Sequence, residues 1–83
     1  MPVVHLSKRI IEELPYPKAG QTLYYDNQLK GFGLRVGRQS RVFFAESQVA
    51  RRTVRATIGK YGIYTPERAR KKALNLLSAM ADG

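Results

Sequence analysis

Apolar residues return at two different spacings along this chain, and the changes of spacing divide it into elements. Leu6-Ser7 followed by residues 8–14 predicts a short helix. Ser7 can accept from an orphan backbone N–H as N-cap, and Leu6 can staple onto Ile11. Pro15 and Pro17 end it, because proline offers no N–H and disfavours a helical residue before it. A helix this short must dock to survive. Thr22-Leu23-Tyr24-Tyr25-Asp26 is β-rich, and a turn follows through Asn27, Gln28, Lys30 and Gly31. Phe32, Leu34 and Val36 then alternate with Gly33 and Arg35, the period of a half-buried strand. Gly37-Arg38-Gln39-Ser40 predicts a hairpin loop, residues 42–48 the next strand and residues 52–59 the last. On that last strand Val54, Ala56 and Ile58 face the core while Thr53, Arg55 and Thr57 face out. Tyr61-Gly62-Ile63-Tyr64 crosses to a final helix, with Tyr61 and Tyr64 as packing residues at the corner. The helix opens on Thr65 as N-cap, Pro66 at its first position and Glu67 against the dipole. Ala69, Ala73, Leu76, Leu77 and Met80 form its core stripe. The order predicts a two-layer α+β domain: a three-stranded, or four-stranded, antiparallel sheet packed on a C-terminal helix, with a short N-terminal helix.

Charge adds what the pattern does not. The 83 residues carry fifteen Lys and Arg against six Asp and Glu, a net charge of +9. Residues 1–29 balance three cations with three acids, so the whole excess lies from Lys30 onward, where twelve cations face three acids. Such an asymmetry asks for a polyanionic partner. No Cys and a single His remove disulfides, thiol nucleophiles and zinc sites of the Cys or His type. The acids are scattered, which disfavours hard-metal sites, and no apolar run approaches the roughly 20 residues of a membrane span. Residues 1–5 do not resemble a secretory leader, so the chain reads as cytosolic. Gly31-Phe32-Gly33 with Gly37 is no phosphate loop, because it opens no helix and no Gly-Lys-Ser/Thr follows. His5 has no acid at triad-like spacing, and no catalytic constellation is present.

If the helix covers one face of the sheet, the other must be satisfied by water or by a partner. The alternation places Arg35 there, then Phe44, Glu46 and Gln48 on the middle strand, then Thr53, Arg55 and Thr57. Arg38, Arg41, Arg51 and Arg52 lie in or beside the turns. Phe43 and Phe44 must point opposite ways, and Phe43 is assigned inside, in phase with Ala45. Six of the seven arginines between positions 35 and 68 fall in this ribbon, a concentration that a generic solvated surface does not require. Arginine's planar fork suits phosphate oxygens and the O6/N7 edge of guanine, Thr and Gln reach bases or phosphates, and a β-ribbon fits a B-DNA major groove about 12 Å wide. Arg68, Arg70, Lys71 and Lys72 crowd the start of the last helix, where the macrodipole disfavours cations. A phosphate contact, Lys71 foremost, would account for them, and so would an absence of any function.

The stretches Tyr25-Asp26 with Leu29-Lys30-Gly31-Phe32-Gly33-Leu34-Arg35-Val36, Arg52 to Thr57 running into Ile58-Gly59-Lys60-Tyr61-Gly62, and Thr65-Pro66-Glu67-Arg68-Ala69-Arg70-Lys71-Lys72-Ala73 together resemble the N-terminal arm-type DNA-binding domain of tyrosine recombinases, the integrases of phages and integrative elements. Residues 6–14 resemble that family's opening helix. Two features depart from it: Ala45 and Ser47 are small for the middle strand, and the turn Val49-Ala50-Arg51 lacks the usual Gly. The resemblance implies a three-stranded sheet backed by a C-terminal helix, with the open face entering the major groove of double-stranded arm-type sites. It also implies a bacterial cytoplasmic setting, with other integrase protomers and accessory DNA-bending proteins as further partners. The recombinase chemistry needs a nucleophilic Tyr and a basic set on a larger domain. Residues 1–83 are therefore expected to be one domain, the N-terminal fragment of a longer integrase, binding DNA without cleaving or joining it and needing no cofactor or small-molecule substrate.

Two other readings compete. An RNA-binding module of similar build suits the Arg-rich hairpin, but readers of single strands present stacking aromatics on the sheet, and here only Phe44 is a candidate. A protein-interaction or anionic-membrane-binding domain is disfavoured because the long helix has no broad exposed apolar face to insert.

Overall fold

Ser7 begins the first helix as its pattern predicts. In the computed structural model, which describes residues 2–82, Ser7 Oγ accepts from the Ile10 N–H at 3.3 Å, opening α1 (Lys8–Glu13). Leu6 and Ile11 flank the cap and are both fully buried, the docking that a helix of six residues needs. Leu14 is already extended ahead of Pro15.

The sheet has five strands, β1 (Val3–Val4), β2 (Thr22–Asp26), β3 (Phe32–Val36), β4 (Arg41–Val49) and β5 (Arg52–Lys60), in the order β1-β2-β3-β4-β5. This corrects the expected count of three or four and the expectation of a purely antiparallel sheet, since β1 pairs parallel with β2. Two residues are too few to carry a periodicity. What makes them a strand is the neighbouring edge: the Tyr25 N–H donates to Pro2 O at 3.0 Å and the Asn27 N–H to Val4 O at 2.9 Å.

Asp26 locks this end of the sheet. Its Oδ1 accepts from the Leu6 N–H at 3.0 Å, and its Oδ2 accepts from the N–H groups of Gln28 and Leu29 at 3.2 and 2.9 Å, forming the turn that leads to β3. At the far end of the long hairpin, Val49 pairs with Arg52 across a two-residue loop. Its central residues Ala50 and Arg51 both have positive φ, 51° and 67°, the primed turn that twisted hairpins require.

The second helix, α2 (Pro66–Ala81), starts where the sequence places it: the Arg68 N–H donates to Thr65 Oγ1 at 3.2 Å, with Pro66 at the first position. Buried Ala69 and Ala73 face the sheet, and α2 lies chiefly over β4. Small Ala45 on that strand is consistent with this close approach. Phe32, Leu34, Val36 and Phe43 fill the layer between with Leu6 and Ile11, and Leu76, Leu77, Tyr61 and Tyr64 pack around it. Tyr61 and Tyr64 bridge at the corner, as packing residues should.

Candidate nucleic-acid interface

The register of the strands sets out the uncovered face row by row. Leu23, Arg35, Val42 and Lys60 form the first row, and Tyr25, Gly33, Phe44 and Thr57 the second. Glu46 with Arg55, and Gln48 with Thr53, form the third and fourth on β4 and β5. Successive rows lie about 7 Å apart. Arg35, Phe44, Glu46, Gln48, Thr53, Arg55 and Thr57 thus share one face, as the alternation predicts, and Phe43 lies on the other, stacked on Phe32 at 5.6 Å.

Phe44 faces out and is nonetheless fully buried. Its ring lies over Gly33, where a Cβ would collide with it, while Tyr25 meets it edge-on at 5.6 Å and the Arg55 guanidinium covers it at 5.2 Å. A ring covered in this way is a platform for Arg55 and not for a base. Glu46 completes the group. Arg55 donates from Nε at 2.9 Å and from Nη2 at 2.7 Å to Glu46 Oε1, and the Tyr25 hydroxyl donates to the same carboxylate at 3.1 and 3.2 Å. The Tyr25 phenol is raised above its ordinary pKa by burial and by the charge and hydrogen bond of Glu46. Arg55 is raised too, first through its hydrogen bond to Glu46.

Other expected contacts lie elsewhere. Arg38 is exposed in the β3–β4 turn and Arg51 and Arg52 at the β4–β5 turn, opposite ends of a nine-residue strand and so about 27 Å apart. Arg41 pairs with Val36 and faces the helix side, which removes it from the open face. Its guanidinium lies 4.6 Å from the Tyr16 ring centre and 5.9 Å from that of Tyr61, with Nε buried and unpartnered. Tyr61 is itself held by Glu12 at 2.7 Å, and this bond, with burial and the acid's charge, raises its pKa. Lys71 is exposed on α2, on the far side of the sheet, between shallow grooves lined by Asn75 and Leu76 and by Gln28 and Leu74. It does not share the open face with the strand residues.

Three of the four cations at the start of α2 have partners within the fold. Arg70 donates from Nη2 to Asp26 Oδ1 and to Leu6 O, both at 3.1 Å, so neither a phosphate contact nor an absence of function accounts for it. Arg68 and Lys72 lie over the Tyr64 ring at 5.3 and 5.5 Å.

Sequence reasoning missed Tyr25 and Lys60 on the open face. The run Leu23-Tyr24-Tyr25 has no alternation to assign Tyr25 a face. Lys60 is turned outward by a bulge: the register shifts between Phe43 and Phe44, so Thr57 opposes Phe44 while Gly59 opposes Phe43. Gly59 was the available signal, because a strand glycine often marks a bulge, and here the Tyr64 ring occupies the space of its missing Cβ.

Among the described residues no group of three or more His, Cys, Asp or Glu is placed to hold a metal ion, and no helix is long and apolar enough to cross a membrane. A sheet with one face under a helix and the other lined by Arg, Lys, Thr and Gln is the build of a nucleic-acid-binding domain. Comparison with family models matches residues 6–83 to the Arm DNA-binding domain, and the chain belongs to that family, the arm-type DNA-binding domains of integrases. No curated protein and no solved structure matches the chain.

Proposed function

We propose that this domain binds double-stranded DNA sequence-specifically at arm-type sites, and that it serves a site-specific tyrosine recombinase in DNA integration and excision. The observation that carries the reading is the uncovered face, where Arg35, Arg55, Thr53, Thr57, Gln48 and Lys60 stand together on one side of a twisted sheet. Base edges in a major groove are read by such side chains, and Arg38 and Arg51 at opposite ends of the hairpin suit the phosphates that flank it. The RNA alternative is weakened, because Phe44 is covered by Arg55 and Tyr25, and Tyr25, the other aromatic of that face, meets the Phe44 ring edge-on and is tied through its hydroxyl to Glu46. The deep, narrow groove of A-form RNA also resists a β-ribbon. Catalysis belongs to other parts of the parent recombinase, and assembly with further protomers and DNA-bending proteins is part of the same proposal.

Titration of labelled duplexes at several salt concentrations tests this. With roughly five to eight phosphates neutralised, log affinity should fall against log salt with a slope of about −5 to −7. A flat line would remove the electrostatic basis of the reading. Denaturing gels of the same mixtures should contain no covalent protein–DNA adduct, and an adduct would refute the division of labour.

A further inference from the structure

The only carboxylate on the four rows of the uncovered face is placed at its centre, where a surface built merely to attract phosphate would not put one. Glu46 cancels the charge of Arg55 and takes two of the five guanidinium N–H bonds, the Nε–H and one on Nη2. Three N–H bonds remain. Two of them, one on each Nη, are parallel in the planar group, the fork that fits O6 and N7 of guanine. The pose is held from two sides, by Phe44 under the guanidinium at 5.2 Å and by Glu46 at its Nε edge, and the Tyr25 hydroxyl in turn anchors Glu46 at both carboxylate oxygens. An unpaired arginine would sample many rotamers and bind any phosphate within reach. A paired one adds no net charge and offers a single oriented edge.

We propose that Glu46 is a specificity-determining positioning residue of this domain: it orients Arg55, with Tyr25 as its own anchor, to read a guanine, and by neutralising that arginine it withholds it from non-specific phosphate binding. The proposal rests on the duplex-reading function above and deepens it. It has an unusual sign. Removing the acid should tighten binding to arbitrary DNA while weakening the choice among sequences, whereas a purely structural role would weaken both together.

The test is selection from a pool of duplexes with about 20 randomised base pairs, by the wild-type chain and Glu46→Gln in parallel, then titration of both proteins on the wild-type winner and on a scrambled duplex. The wild type should enrich a site with a fixed guanine. Glu46→Gln should bind the scrambled duplex tighter, by up to about eightfold near 0.1 M salt if one further phosphate is neutralised. The advantage of the selected site should shrink at least about fivefold, the lower end of what a bidentate arginine–guanine contact discriminates. Tyr25→Phe keeps both charges and frees only the carboxylate, so it should lower discrimination without tightening scrambled DNA, and it stands in if Glu46→Gln fails to fold. Unchanged discrimination in the variant used, or equal weakening on both duplexes, would overturn the proposal while leaving DNA reading intact. A wild type that enriches no sequence would overturn sequence reading itself and the proposal with it.

Discussion

Asp26 and Glu46 each hold an arginine, Arg70 at 3.1 Å and Arg55 at 2.7 Å, on opposite faces of the same sheet. The longer contact is the one that matters for stability. The Asp26 side chain is fully buried and that of Arg70 is 23% exposed, whereas those of Glu46 and Arg55 are 20% and 38% exposed. Water screens the second pair, which contributes under about 1 kcal/mol to folding. The first sits among three backbone N–H donors and ties the chain start, the β2–β3 turn and α2 together. Burial and the number of groups joined, and not distance, separate a pair that builds the fold from one left available to a ligand.

The sharpest way to break this comparison is to remove each acid in turn. Asp26→Asn should lower unfolding free energy by about 3–5 kcal/mol in urea titrations, since Arg70 is left partly buried without its counter-charge. Glu46→Gln should move it by less than about 1 kcal/mol. Equal losses would mean that both pairs are structural. Acid should separate them as well. Burial alone would raise the Asp26 carboxyl, but the Arg70 hydrogen bond, the Leu6 and Leu29 N–H groups and the charge of Arg70 outweigh it and hold its pKa below the ordinary value. Its stabilisation is therefore fully present above the unfolded pKa of about 3.9 and is lost as pH falls through the lower folded value. Below about pH 4 the wild type should lose stability along a limb that Asp26→Asn lacks.

Arg55 provides the second test, with a readout on DNA. Arg55→Ala should cost about 1–3 kcal/mol on a selected duplex and much less on a scrambled one. Its effect on unfolding should stay within about 1 kcal/mol, since only the screened pair and the cover over Phe44 are lost. A change of less than about 0.5 kcal/mol on both duplexes would make Arg55 an ordinary surface residue and put the reading face elsewhere.

Where interactions were local, the sequence made them legible. Thr65-Pro66-Glu67 announces α2 because capping acts within one turn, and the alternation through Glu46, Gln48, Thr53 and Arg55 finds the open face because no irregularity interrupts it. Illegible were features that depend on distant partners or a change of phase. Arg70 meets Asp26 across 44 positions, so its charge looked surplus beside its own helix. Lys60 lies beyond the bulge, where the phase of the ladder changes. Most side chains of the open face were visible from their own strand, Lys60 and Tyr25 excepted; the structural role of Arg70 was not.

The smallest effect concerns the β4–β5 turn, which belongs to the folding half of the comparison through its backbone and to the binding half through its charge. Left-handed backbone costs a residue with a Cβ roughly 1–2 kcal/mol, and the loop places two such residues, Ala50 and Arg51, side by side where Asn-Gly is the favoured pair. Asn at position 50 tolerates that conformation, so Ala50→Asn alone should stabilise the domain by about 0.5 kcal/mol and leave the salt slope of DNA binding unchanged, because every cation is retained. Adding Arg51→Gly should bring the gain to about 1–2 kcal/mol, a rise in Tm of several degrees for a chain of this size. The same change should flatten the salt slope by about one unit if Arg51 touches a phosphate. Thermal melts and salt titrations on the two variants separate these effects. A double variant that melts higher and binds with an unchanged slope would leave Arg51 without a phosphate contact. One that melts no higher would mean that the left-handed turn carries no strain for a better pair of residues to relieve.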